Sequence, residues 1–354
     1  MCMIAAYIGP ESASEVLSDM QRRQESIFGG FYSGIATCEN GRLYRERTIG
    51  SFSNLSDAVA KGLLPGTIGI AHSRTNSGGG VSWAQPRLNF QENIATVGNG
   101  FLGVLSDPKR IREAAEKLLK TGLTFQTLTA SPRFNGVALD SGFYVHPAEV
   151  LLEAVSFEFG KSGSLEQAIR TINLRSESVE IYLTSRLNRT LYVINHNQRL
   201  VAAKSELGMQ VATSRLAFSN STVWELEIPP NTIAIVNEEE VQVKPLWLDG
   251  ARYDFNIPKD VNKTFLSYIA QHPGSLWEEV IDKGLYPQFS KKCATLAAIV
   301  GHRLFEECLS NRKIKYQLDQ VLGLEGQKEL WPSKFFILLR IFKYISLLAT
   351  NSGE

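Results

Sequence analysis

Cysteine and histidine are scarce in this chain of 354 residues, so their placement carries most of what they can say. The four cysteines, Cys2, Cys38, Cys293 and Cys308, show no C-x-x-C spacing, and the five histidines lie far apart. A disulfide framework is therefore excluded as an organising device, and neither a metal site nor a cofactor is expected. Charge of one sign is missing as well. With 37 Lys and Arg against 36 Asp and Glu the net charge is +1, and no long basic run stands out, so no nucleic-acid partner is expected. Long apolar runs are also absent. The longest, Phe335 to Ala349, carries Arg340 and Lys343, and the start lacks a basic segment leading into an apolar one. The expectation is a cytoplasmic chain with no export signal and no membrane span.

What is present begins with MCMIAAYIG, the first nine residues. Removal of Met1, usual when residue 2 is small, leaves Cys2 with a thiol beside a free α-amine. The ordinary pKa values, about 8.5 for the thiol and about 7.7–8.0 for the amine, make that pair a nucleophile and a base in one residue. Met3 to Ile8 are apolar without helical period and end at Gly9-Pro10, which predicts a buried strand able to hold Cys2 rigidly. Taken alone, these residues fit an ordinary second residue better than a nucleophile.

Ser12 to Glu25 has helical spacing in Val16, Leu17, Met20 and Arg23. Residues 28–41 and 42–50 predict a hairpin turned at Asn40-Gly41. A short helix follows over 56–62, then a strand over 67–71 that runs into the polar, glycine-rich loop HSRTNSGGG (72–80). Such a loop lets backbone approach a small ligand closely. A strand over 93–97 leads to Gly98-Asn99-Gly100, a tight turn that offers N–H groups and a side-chain amide together, the donors an oxyanion needs. An amphipathic helix over 107–121 and helices over 146–159 and 164–171 precede short strands from 179 to 243. Strands, helices and strands again predict a layered α+β domain over 1–243, with a linker from Lys244 and helical spacing through the rest of the chain, divided into 244–285 and 286–354.

Taken in order, these segments resemble the class II (N-terminal nucleophile) glutamine amidotransferases, above all the glutaminase half of the glutamine-fructose-6-phosphate aminotransferases. MCMIAAYIG is similar to the family's M-C-G-I-V-G-Y-I-G, GIAHSRTNSGGG (69–80) to its G-I-A-H-T-R-W-A-T-H-G, AQP (84–86) to its A-H-P, and IATVGNGFL (94–102) to its V-x-V-H-N-G-I-I. LSDMQRRQESIFGGFYSGIAT (17–37), TSRLA (213–217) and PNTIAIV (230–236) extend the likeness over about the first 240 residues.

The resemblance implies a four-layer αββα fold and a site assembled from distant positions. Cys2 attacks the glutamine carboxamide and relays the proton through its α-amine. Arg74 holds the substrate α-carboxylate, Ser77 adds a hydroxyl contact, and Asn99 with Gly100 supplies the oxyanion donors. The family's D-T-E-V motif, whose aspartate binds the α-amine, has Pro147-Ala148-Glu149-Val150 as its counterpart, and Asp140 is the substitute acid expected. Gly78 and Gly98 stand where the family has histidines. KKCAT (291–295) resembles a degenerate opening of a sugar isomerase domain.

The reading is a glutaminase that passes ammonia to a separate synthase subunit, with a homo-oligomer as the other arrangement for the apolar helix over 335–349. Two alternatives stay open: a degenerate homologue serving as glutamine sensor or scaffold, and an N-terminal-cysteine hydrolase of another amide.

Overall fold

The computed structural model describes residues 2–25, 29–74, 80–99, 108–131, 136–172, 179–186, 189–196, 200–213, 217–218, 222–229 and 232–246. Strand β1 spans Met3–Ile8 and every residue in it is buried. Helix α1 (Ala13–Glu25) turns Leu17 and Met20 onto the sheet and leaves Asp19 and Arg23 outside as an i,i+4 ion pair. The hairpin forms as expected from β2 (Tyr32–Glu39) and β3 (Arg42–Ile49), with Asn40 and Gly41 at φ 49° and 74°, the positive values that a two-residue turn of this hand demands. Helix α2 (Ser56–Ala60) is short, and β4 (Ile68–Arg74) runs three residues beyond the strand expected over 67–71.

Strands β5 (Arg87–Leu88) and β6 (Ile94–Asn99) come next, followed by helix α3 (Pro108–Leu119) and a small hairpin, β7 (Val137–Ala138) with β8 (Tyr144–Val145). Helix α4 (Pro147–Ser162) starts with His146 as N-cap and Pro147 in its first turn, where a missing N–H costs nothing, and stops at Gly163 in the left-handed region. Helix α5 (Leu165–Thr171) is capped by Ser164. Strands β9 (Val179–Thr184), β10 (Leu191–Asn195), β11 (Val201–Ser205), β12 (Gly208–Ala212), β13 (Thr222–Glu227), β14 (Thr232–Val236) and β15 (Val241–Pro245) complete the described part. The last strand runs two residues past the boundary expected at 243, and the linker and helical appendage lie outside the described residues.

Two antiparallel sheets result, one ordered β13-β11-β12-β1-β4-β2-β3 and the other β15-β14-β10-β9-β6-β5. Their facing sides bury Ile4, Ala6, Ile8, Ile68 and Ile70 against Ala95, Val97, Val179, Ile181 and Leu183. The outer side of the first sheet packs Ala5, Tyr7, Ile35 and Ala71 under Leu17 and Met20 of α1. The outer side of the second packs Ile94, Tyr182 and Ile194 under Leu151, Leu152, Val155 and Phe159 of α4 and Leu165 of α5. Helix, sheet, sheet and helix are the four layers expected, because strand residues alternate faces and each face carries its own apolar set.

On that outer side Glu180 is fully buried and accepts a 2.7 Å hydrogen bond from the Tyr182 hydroxyl. Burial pushes its carboxyl up to about 7, against which the Tyr182 bond works only partly. Below the ordinary value of 4.5 the group is protonated in both folded and unfolded chains; above it only the unfolded chain ionises, until the buried carboxyl does so near pH 7. The fold therefore loses stability across that window, by about 3 kcal/mol in total. Glu180→Gln keeps the acceptor for Tyr182 and should raise the denaturant midpoint at pH 8 while matching wild type near pH 4.5. Parallel pH profiles for the two proteins would show that Glu180 does not titrate in this way.

Candidate active site

Cys2, Arg74 and Asn99 meet because of strand register. Strand β1 pairs antiparallel with β4, Met3 opposite Ser73, so the next rung sets Cys2 opposite Arg74. On the far side of β4 the partner of Arg74 is Tyr32. Alternation decides the face: Ile4 and Ile70 point between the sheets, so Cys2 and Arg74, two and four residues along, point there too. In the second sheet Ala95 and Val97 line the same space, which aims Asn99 into it. The Cys2 nitrogen, which becomes the α-amine once Met1 is removed, donates to Asn99 Oδ1 at 3.5 Å across 97 positions of sequence.

The first rungs of β1 are held by side chains of α1 and by Thr213. Gln21 Nε2 donates to the Met3 carbonyl (3.3 Å) and Gln24 Nε2 to the Ile4 carbonyl (3.4 Å). The Thr213 hydroxyl accepts from the Ile4 N–H (3.2 Å) and donates to Gln24 Oε1 (3.1 Å). Buried glutamines at helix positions 21 and 24 thus serve the strand that carries Cys2.

Arg74 is 3% exposed; its Nη1 donates to the Trp83 carbonyl at 3.3 Å, and its guanidinium carbon lies 5.6 Å from the centre of the Tyr32 ring. Arg87 Nη2 donates to the same carbonyl at 3.1 Å, which gathers two buried guanidinium groups around one turn. Trp83 is itself fixed, its indole N–H on the Thr127 carbonyl (3.1 Å) and its ring edge-on to His146, centroids 4.9 Å apart. His72, two residues before Arg74, is fully buried on the same face. Burial first, then the charges of Arg74 and Arg87, depress its pKa to about 3, so it is neutral. His146 is lowered in the same way, by burial and then by Arg87 and Arg74.

Three expectations change. Residues 72–74 are strand and not loop, because Ser73 has a buried partner: its hydroxyl donates to Glu25 Oε1 (2.5 Å) and accepts from the Gly30 N–H (2.9 Å). Gly98 and Asn99 belong to β6 for a similar reason, since Gly98 has hydrogen-bond partners on the Gln85 side chain. Asp140, the expected amine-binding acid, follows β7 at the surface, 63% exposed and paired with Arg112 of α3. Ser77, Gly78 and Gly100 lie outside the described residues. Sequence reasoning passed over Tyr32, His72 and Trp83. Only His72, an i−2 neighbour of Arg74 in a strand, carried a readable signal.

Two sheets between helical layers, with residue 2 at the end of a central strand on the inward face, define a four-layer αββα fold. The resemblance to class II glutamine amidotransferases holds in sequence and in fold. Glutamine-fructose-6-phosphate aminotransferase (isomerizing) of Agrobacterium fabrum is 34% identical over 130 residues, 36% of this chain and 20% of that protein. The enzyme of the same name from Pyrococcus horikoshii is 26% identical over 251 residues, 70% of this chain and 38% of its own length. This chain therefore spans between a fifth and two fifths of these curated relatives. Among solved structures, glutamine phosphoribosylpyrophosphate amidotransferase from B. subtilis aligns with TM-score 0.53 over 78% of this chain and 59% of that one, at 17% identity, a likeness of fold alone. No protein-family model matches the chain.

Gly34 of β2 supports the turn that bears Trp83 and Gln85. A Cβ there would stand 2.2 Å from the Gln85 carbonyl oxygen and 2.9 Å from Pro86 Cδ. Backbone on the receiving side leaves little room to yield, so Gly34→Ala should destabilise the protein by about 1–3 kcal/mol. Chemical denaturation measures this, and an unchanged midpoint would mean that the 85–86 segment is not seated on β2.

Proposed function

We propose that this chain is a glutamine amidotransferase module that hydrolyses glutamine to glutamate and ammonia through Cys2, with the ammonia consumed by a separate synthase. The observation that carries the reading is the meeting of Cys2, Arg74 and Asn99 on one inward face from three strands of two sheets. After Met1 removal the Cys2 α-amine takes the thiol proton, and the thiolate attacks the carboxamide carbon. Asn99, whose Oδ1 faces the Cys2 nitrogen, turns its Nδ2 donor toward the oxyanion that develops. The α-ammonium returns the proton to the departing ammonia, and water then resolves the thioester to glutamate and free thiol. Arg74 pairs the substrate carboxylate with a planar fork that Tyr32 and the Trp83 carbonyl hold in orientation.

A second reading, hydrolysis of an ω-amide that lacks the α-amine, is favoured by the position of Asp140 on the surface and by Pro147 in the first turn of α4. Ammonia release from glutamine and from 4-carbamoylbutanoate separates the two: selective use of glutamine supports the first, equal or better use of the deaminated amide supports the second.

The reading has two direct consequences. Intact mass of the purified protein should show Met1 absent and a single adduct from a glutamine-like electrophile, lost in Cys2→Ala; retained Met1 would sink the mechanism. Arg74→Lys should raise KM for glutamine by about tenfold or more with a smaller change in kcat, since a point charge replaces a fork. Unchanged KM would remove Arg74 from carboxylate binding.

A further inference from the structure

The ladder between β5 and β6 is short. Arg87 pairs with Thr96 and Leu88 with Ala95, and the same register carried two residues back would set Gln85 opposite Gly98. No backbone rung forms there. The Gln85 side chain supplies one: its Oε1 accepts the Gly98 N–H at 2.6 Å and its Nε2 donates to the Gly98 carbonyl at 3.1 Å. A primary carboxamide presents a donor and an acceptor side by side as a peptide unit does, so it completes a buried rung that the strand leaves open. Gln85 and Gly98 are both buried, and Gly98 is followed directly by Asn99, whose Oδ1 meets the Cys2 nitrogen.

We propose that Gln85 is a positioning residue: its carboxamide clamps the Gly98 backbone and thereby fixes Asn99 against Cys2. The kinetic part of this inference rests on the glutaminase reading; the structural part does not. Displacement of a reacting group by about an ångström costs on the order of a hundredfold in rate, so the clamp should act on turnover and not on binding.

The test uses the full chain as wild type, Gln85→Met and Gln85→Glu, with hydrogen exchange read at the Gly98 amide and steady-state glutamate release. Gln85→Met keeps length without polar atoms; the Gly98 amide should exchange about tenfold faster or more, and kcat should fall about a hundredfold with KM within about threefold. Gln85→Glu keeps the acceptor but loses the donor, so Gly98 should stay protected while kcat falls by less. A Gly98 amide as protected in Gln85→Met as in wild type overturns the proposal, and so does a loss expressed in KM alone. If Gln85→Met does not fold, Gln85→Glu decides: reduced kcat at unchanged KM supports the clamp, and wild-type kcat overturns it. A wild type that releases no glutamate defeats the glutaminase reading, and exchange at Gly98 then decides the clamp by itself.

Discussion

The register between β1 and β4 is the constraint on which the site depends. With Met3 opposite Ser73, Cys2 and Arg74 share the following rung and the same face. A slip of β1 by one residue would turn the Cys2 side chain toward α1 and send Ala5 and Tyr7 into the space between the sheets, because side chains alternate with period two. Several independent groups oppose that slip. Gln21, Gln24 and Thr213 tie the start of β1, and at the other end the Tyr7 hydroxyl donates to the Leu207 carbonyl (2.6 Å) and accepts from the Glu11 N–H (2.9 Å). The polar side chains buried around β1 thus do more than satisfy backbone groups; they select one register among those that the apolar pattern alone permits.

Electrostatics then bear on which group near Cys2 is able to take a proton at neutral pH. His72 is the imidazole on the inward face, but burial and the charges of Arg74 and Arg87 hold it near 3. At neutral pH an imidazole so weak takes a thiol proton poorly, since a useful general base has a pKa near the operating pH. The α-amine that Met1 removal would expose at Cys2 has an ordinary value of about 7.7–8.0 and lies on the residue proposed as nucleophile. Burial first, and then the two guanidinium groups, keep His72 neutral. On the proposed reading, the base comes with residue 2 itself.

Much of this was legible in the sequence wherever local chemistry decides the structure. Asn40-Gly41 announced its hairpin because few residues accept positive φ, and the apolar alternation of β1 and the spacing of α1, α3, α4 and α5 read directly. Polar residues were misjudged where their partners lie far away. Ser73 reads as loop until Glu25, 48 positions earlier, is seen to accept its hydroxyl, and Gly98 reads as turn until the carboxamide of Gln85 is seen to fill its rung. Asp140 was chosen for its charge, yet Arg112, 28 positions upstream on α3, already pairs with it. Motif order brought Cys2, Arg74 and Asn99 together in the reading before geometry did. It said nothing of Tyr32 or Trp83, whose roles follow from register and packing.

The start of α4 shows how a stretch that resembles a substrate-binding motif can be given over to structure. His146 Nδ1 accepts the Ala148 N–H (3.2 Å), and its ring packs edge-on against Trp83. Glu149 is buried and accepts from the Gln126 N–H (2.6 Å), the Thr127 N–H (2.8 Å) and the Thr127 hydroxyl. Thr127 in turn gives its carbonyl to the Trp83 indole, and the Trp83 carbonyl receives Arg74 and Arg87. The acid of this helix start thus reaches the site through two intermediaries, as the anchor of the turn that orients Arg74, and its oxygens are already engaged by backbone and hydroxyl donors. The polar groups of the first turn of α4 are thus engaged within the fold. The helix start that resembles one substrate-binding motif instead steadies Arg74, the residue proposed to hold the carboxylate at the other end of the substrate.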